Sequence, residues 1–196
     1  MRTTQLMFVS LAAAAVCLAL PTREIRARES RTAIPESYHS ETVLDASVEE
    51  VWPYALDIKT WMNGHDLETV AGTPNTVGEI VKITPRNTPP SAPREHYAFY
   101  QVTKIIPRKQ IVIKVYSAPG GTLGKEVLEY DAITLFDEQG RTRVVFDMNG
   151  ESIGPHIDAS ELEKEEKAED EEVYGLLEAY WKNLAALVAK GARHQK

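Results

Sequence analysis

Apolar and polar residues alternate along much of the chain between residues 65 and 152, with the two-residue period of strands that bury one face. The clearest case is 110–116, in which Ile111, Ile113 and Val115 share one side. Proline- and glycine-rich segments separate these runs, and Asp137–Gly140 is a hairpin signature. The pattern predicts an antiparallel sheet with strands at 38–45, 67–71, 77–84, 95–106, 110–116, 126–136 and 141–152, and loops at 85–93 and 117–124.

Two segments have the period of helices instead. Ser47 is a suitable N-cap for a short helix whose apolar face includes Val51 and Ala55. The second helix is predicted to begin after a cap at Asp158 or Ser160 and to run to about Gly191. Its apolar stripe consists of Val173, Leu176, Leu177, Tyr180, Trp181, Leu184, Leu187 and Val188. A long amphipathic helix must bury such a stripe, and the apolar face of the sheet is the only large surface available for it.

An apolar run of fifteen residues, 6–20, follows Arg2 and has the length of a signal-peptide core. We therefore predict a leader at 1–30 and a folded domain at 31–196, exported to the periplasm or secreted after cleavage. Four arginines lie between residues 23 and 31, just after the run, and this charge distribution also allows an uncleaved membrane anchor formed by 6–20. The single cysteine, Cys17, lies in the leader, so the domain can form no disulfide.

The formal net charge of -7 argues against nucleic acid as a partner, because phosphate binding needs a basic face. Residues 161–172 contain eight acids and two lysines and account for -6 of that charge. Such a run is typical of a solvated helix face, and the alternative is a contact surface for a basic protein.

Catalytic and cofactor motifs are absent from the sequence. The five histidines are scattered without metal-ligand spacing, and neither a G-x-S-x-G elbow nor a nucleotide-binding glycine loop is present. We expect no metal, no cofactor and no identifiable catalytic residue. Arg94, His96 and Tyr97 form the only tight group of acid–base side chains in a predicted strand, and a solvent-facing strand start is the simpler interpretation of them.

Five segments together resemble one known superfamily. They are DASVEEVWPYALDIKTW at 45–61, TVGE at 76–79, VTKIIPRKQIV at 102–112, LFDEQGRTRVVF at 135–146 and EAYWKNLAAL at 178–187. Over about residues 36–190 the chain is similar to the START-like, polyketide cyclase/dehydrase and lipid-transport (SRPBCC) superfamily. The resemblance implies an α+β helix-grip fold, in which a curved antiparallel sheet of about seven strands wraps around a long C-terminal helix. It also implies a cavity between them for an apolar ligand.

The strand alternation and the helix stripe nominate side chains for the lining of that cavity. These candidates are Tyr100, Val102, Ile113, Tyr130, Val144, Phe146, Met148, Leu177, Tyr180, Trp181 and Leu184. Three hypotheses follow: binding or transport of a lipid, polyketide or aromatic compound; a cyclase or dehydratase acting in the same cavity; and a protein-interaction module that uses the acidic helix segment. The first is favoured because no catalytic signature accompanies the fold.

Overall fold

The computed structural model describes residues 31–62, 64–86, 97–117, 126–155 and 159–194. The leader, with its alternative predictions of export and anchoring, lies outside these residues, as does most of both predicted loops. Within the described ranges, no helix has the length and apolar character needed to cross a membrane.

Seven antiparallel strands form one sheet, as the sequence predicts. They are β1 (Arg31–Leu44), β2 (His65–Ala71), β3 (Ile80–Pro85), β4 (Ala98–Ile106), β5 (Gln110–Ser117), β6 (Glu126–Glu138) and β7 (Arg141–Pro155). The spatial order is β1-β7-β6-β5-β4-β3-β2, so chain neighbours from β2 to β7 pair in sequence and β1 closes onto β7.

Turn chemistry explains where the strands begin and end. Gln139 and Gly140 have φ angles of 58° and 91°, and they join Glu138 to its pairing partner Arg141. Two successive positive φ angles define the tight hairpin turn whose twist matches that of the strands, so the predicted hairpin is confirmed. The predicted start of β3 at Val77 is wrong, because Gly78, with φ 92°, belongs to the turn that precedes the strand.

Three helices complete the domain: α1 (Val48–Leu56), α2 (Ile58–Trp61) and α3 (Ala159–His194). Ser47 caps α1 as predicted. Its hydroxyl accepts a hydrogen bond from the Glu50 N–H, and the Glu50 carboxylate accepts one from the Ser47 N–H at 2.8 Å. This reciprocal pair satisfies two backbone donors at the helix start.

The core lies between the concave face of the sheet and the C-terminal half of α3. Inward side chains of the strands form one continuous apolar cluster with α1, α2 and α3. Its fully buried members include Val51, Val81, Ile111, Ile113, Ile133, Val144 and Leu184. The first half of α3 carries the acidic segment 161–172, and its described side chains, such as Glu161 and Asp170, are exposed.

A buried ion pair fixes α2 against the sheet. Glu79 is 2% exposed, and one of its carboxylate oxygens accepts hydrogen bonds from Lys59 Nζ at 2.9 Å and from Thr69 Oγ1 at 2.8 Å. The other oxygen accepts the Asn75 N–H at 2.6 Å. Burial alone would raise the pKa of Glu79, but these hydrogen bonds outweigh burial and hold the pKa below its ordinary value. The ionised carboxylate therefore joins α2, β2 and the turn before β3.

Replacing Glu79 with alanine is expected to lower the free energy of unfolding by about 3 kcal/mol, because it leaves the partly buried Lys59 without its buried partner. The pKa of Glu79 is lower in the folded chain, so its stabilisation is present above the ordinary glutamate pKa and disappears as the pH falls through the lower folded value. Denaturant unfolding at pH 7 and at pH 3 should show the difference between the two proteins shrinking in acid.

Asp66→Ala is the matched control on β2. Asp66 pairs with Arg86 at 2.7 Å, but both side chains are well exposed, at 72% and 59%, and such surface pairs contribute little. Equal losses for Asp66→Ala and Glu79→Ala would contradict the structural role given to Glu79.

Candidate functional site

A cavity of about 80 Å³ lies between the concave face of the sheet and the helices. Strands β4 to β7 form its floor, α2 forms one wall, and the middle of α3 covers it. The lining side chains are Ile58, Met62, Tyr100, Ile113, Asp131, Ile133, Phe146, Met148, Val173, Leu176, Leu177 and Tyr180. Nine of the twelve are aliphatic, methionine or phenylalanine side chains, so the cavity suits an apolar molecule. Leu176 is 37% exposed, which places the rim of the cavity on the surface beside α3.

Among the described residues, Asp131 is the one carboxyl group in the cavity wall. In the ladders of β6 it pairs with Ile113 of β5 and Met148 of β7, and both neighbours also line the cavity. It is only 2% exposed, and its Oδ1 atom has no hydrogen-bond partner among the described residues. Burial of a polar atom without a partner is rare and costly in a folded protein, and it commonly marks a functional position.

Burial raises the pKa of Asp131 to about 7, because the apolar surroundings disfavour the charged form. A carboxyl group with this pKa exists near neutral pH as a mixture of acid and carboxylate. It can therefore donate a hydrogen bond, accept one or exchange a proton within the cavity.

Two tyrosines share the cavity with this group. Burial raises the pKa of Tyr100 well above its usual range, and the nearby charge of Asp131 raises it further. Burial and the charge of Asp131 likewise raise the pKa of Tyr180 to about 12. Both phenols therefore keep their protons at physiological pH, and each can donate a hydrogen bond to a ligand or to the carboxylate.

Six of the eleven residues nominated from the sequence line the cavity: Tyr100, Ile113, Phe146, Met148, Leu177 and Tyr180. Val102, Val144, Trp181 and Leu184 are buried in the core cluster outside the lining. Trp181 fills a structural role there, since its indole Nε1–H donates to Ser40 Oγ at 2.8 Å. Ten of the eleven nominated residues thus fall into two groups, six that line the cavity and four that pack in the core.

The inward placement of Tyr130 is wrong. Tyr130 is 50% exposed and lies on the convex face of the sheet, whereas Asp131, one residue later, faces the cavity. Side chains alternate along a strand, so Tyr130 and Asp131 face opposite sides of the sheet. Placing Tyr130 inward therefore reverses the two faces at this point of β6. Ile133 and Leu135 carry the correct signal, because they are buried and lie on the same face as Asp131.

Of the acid–base group suggested by the sequence, Tyr97 is the member that the structure describes, and it is not part of the cavity lining. Arg94 and His96 lie outside the described residues. Tyr97 packs edge-on against Phe99 at 5.3 Å between ring centroids and lies under Lys82 Nζ, so its ring is engaged with a different set of side chains. Over the described ranges, no group of three or more histidine, cysteine or acidic side chains is arranged to hold a metal ion.

Comparison with known proteins identifies the fold. No family model and no curated protein sequence matches the chain. Solved structures do match: a conserved protein from Geobacillus kaustophilus is 21% identical, with a TM-score of 0.54, and covers 79% of this chain and 96% of its own.

Two further solved structures match a similar share of the chain. A norcoclaurine synthase point mutant from Thalictrum flavum, in complex with a transition-state analogue, is 20% identical, with a TM-score of 0.53 over 84% of this chain and 99% of its own. Ara h 8.0201 is 12% identical, with a TM-score of 0.53, and covers 80% and 99%. The chain therefore has the START-like (SRPBCC) helix-grip fold that its sequence resembles.

Asp131→Asn is expected to stabilise the protein, and more so at high pH. The folded pKa of Asp131 is raised, so burial of this group costs the least free energy when it is protonated. Stability is therefore lost as the pH rises from about 4 to 7. The asparagine variant avoids this loss and should gain about 4 kcal/mol at pH 8 and under about 2 kcal/mol at pH 5. Thermal or denaturant unfolding at the two pH values measures the gain.

The outward-facing Asp147 offers a matched control. It lies on β7 with its side chain 45% exposed, beside His39. Asp147→Asn should bring no comparable gain at pH 8, and a pH-independent effect of Asp131→Asn would contradict the raised pKa.

Proposed function

We propose that the protein binds an apolar small molecule in the cavity between the sheet and α3. The observation that supports this most directly is the composition of the wall, in which one carboxyl group and two phenols interrupt an otherwise apolar lining. Small-molecule sites commonly have this form, since apolar surface supplies affinity and a few polar groups fix the orientation. The cavity of about 80 Å³ would hold part of a lipid, a polyketide or an aromatic compound, and the rest of the molecule would extend past the rim at Leu176.

The expected mechanism is burial of the ligand from water. Apolar surface removed from water contributes about 25 cal/mol per Å², before the costs of ordering the complex are deducted. Side chains such as Ile133 and Phe146 would contact the apolar body, while Asp131, Tyr100 and Tyr180 would meet the polar end. Access beside Leu176 would let a ligand reach the cavity along the exposed flank of α3.

The predicted leader bears on where in the cell the protein would bind its ligand. If residues 1–30 direct export, the domain would carry or sense its ligand outside the cytoplasm, and if residues 6–20 remain as an anchor, it would do so at a membrane surface. Both settings suit a carrier of molecules that dissolve poorly in water.

Native mass spectrometry of the purified chain, followed by organic extraction, is the direct test of binding. We expect an apolar compound at a stoichiometry of one, or binding of a neutral probe such as 4-phenylbutan-1-ol measured by calorimetry. Leu176→Trp should narrow the rim and weaken binding at least about tenfold, because Leu176 lines the cavity.

Leu128→Trp makes the same change on the convex face. Leu128 is 41% exposed, close to the 37% of Leu176, and it is not part of the lining, so its replacement should leave the affinity unchanged. Absence of any co-purifying compound, together with failure of a panel of fatty acids, aromatic polyketides, neutral alcohols and alkylamines to bind the unmodified chain, would overturn the proposal.

Turnover in the same cavity is the second candidate function, favoured by the position and pKa of Asp131. In a dehydration, the Asp131 carboxylate would take the proton from the carbon next to a carbonyl. The resulting carboxylic acid would return that proton to the departing hydroxyl, which leaves as water. A general base of this kind contributes most when its pKa lies near the working pH.

This candidate predicts that a panel of β-hydroxy ketones is dehydrated at a rate that rises with pH and levels off above about 7, following ionisation of Asp131. Asp131→Asn should lower the rate at least about a hundredfold while ligand binding remains measurable. A rate that is unchanged in this variant would exclude Asp131 as the base.

A further inference from the structure

The concave face of the sheet carries buried acids without buried bases. Asp131 and Glu129 lie two residues apart on β6, and Glu36 of β1 is aligned with Glu129 across Gly150 of β7. All three acids are less than 9% exposed, and Glu36 Oε1, like Asp131 Oδ1, lacks a hydrogen-bond partner in the described part of the chain. No lysine, arginine or histidine is among the buried residues or the cavity lining that the structure describes. Asp131 is therefore the carboxyl group that a ligand would meet in the described lining, and two further buried acids lie on the same face of the sheet.

The presence of buried acids without buried bases indicates which polar group a ligand would carry. A desolvated carboxylate is stabilised by an opposite charge or by hydrogen-bond donors, and the lining supplies no positive side chain to Asp131. A ligand carboxylate would place a second negative charge beside it, which is strongly unfavourable in an apolar cavity. A neutral alcohol would supply at most one weak donor.

We propose that the ligand of this cavity carries a protonated amine, whose ammonium group pairs with Asp131 while its apolar body fills the rest of the space. This inference rests on the proposed binding function and names its ligand class. The phenols add to the fit, because Tyr100 and Tyr180 are close enough to Asp131 for its charge to affect them, and aromatic rings attract cations.

The protonation state of the cavity sets the pH dependence of binding. Besides Asp131, the titratable groups near it among the described residues are Tyr100 of β4, Tyr180 of α3, Glu129 of β6 and, beyond β7, Glu36 and Tyr38 of β1, of which Tyr38 is aligned with Asp131 across Met148. The lining side chains of β5, β7 and α2 cannot titrate. Tyr100 and Tyr180 stay neutral below pH 9, and an alkylamine stays charged. Ionisation of Asp131 therefore controls the affinity for the amine between pH 5 and 8.

Three ligands with one skeleton test the inference: 4-phenylbutylamine, 4-phenylbutan-1-ol and 4-phenylbutanoate, titrated into the full chain by calorimetry. At pH 8 we expect the amine to bind at least about tenfold more tightly than the alcohol, and the carboxylate to bind most weakly. With the pKa of Asp131 at about 7, amine affinity should fall by about ninetyfold between pH 8 and pH 5, while alcohol affinity changes little.

Asp131→Asn should remove both the preference for the amine and its pH dependence, whereas Asp147→Asn, on the convex face, should keep both. The carboxyl ¹³C signal of Asp131 gives an independent readout, since a bound amine must lower the pKa of this group. Equal affinity for amine and alcohol, or tighter binding of the carboxylate, would overturn the amine assignment and leave the binding function standing. Binding of none of the three ligands, together with the absence of any co-purifying compound, would overturn both.

Discussion

The domain depends on a single apolar contact, that of the concave face of the sheet with α3. A seven-stranded antiparallel sheet buries one of its faces only if another element covers it, and α3 is the helix whose apolar stripe is long enough. Leu177, Leu184 and Val188 complete that contact. Farther toward the N-terminal part of α3 the cover is incomplete, and the remaining space between helix, sheet and α2 is the cavity. The proposed binding site is thus the unfilled part of the core.

A buried carboxyl group in that space works against stability. Ionisation of Asp131 costs about 4 kcal/mol, which is a substantial fraction of the roughly 5–15 kcal/mol that separate folded from unfolded domains. A leucine or asparagine at this position would relieve it, yet the chain keeps an acid with a free oxygen in the cavity wall. Destabilising polar groups of this kind commonly mark functional sites, where they serve recognition or chemistry.

Pattern and spacing predicted the antiparallel sheet, α1 and α3, because each of these elements carries its own signal, whereas the helix-grip arrangement was implied by the family resemblance. The alternation of β5, the cap at Ser47 and the glycine at 140 each predict local structure, and the stripe of α3 predicts what the sheet must face. The site was predictable only in part. Tyr100 and Tyr180 follow from periodicity, but Asp131 does not, because a polar residue flanked by Tyr130 and Ala132 is normally assigned to the wet face. Ile133 and Leu135 carry the alternation that places it inward, and the structure shows it beside Ile113 and Met148 in the cavity lining.

The placement of Asp131 within a strand has an evolutionary consequence. Hydrogen-bonded ladders hold β6 on both sides, so a substitution at position 131 exchanges the side chain without moving the backbone around it. If the cavity binds amines as proposed, a single change there would convert it into one for neutral molecules or for anions, with the wall formed by Ile113 and Met148 intact. Diversification of ligand chemistry on this scaffold therefore requires no remodelling of loops, and homologues that differ at this one position can be expected to divide by the charge of what they bind.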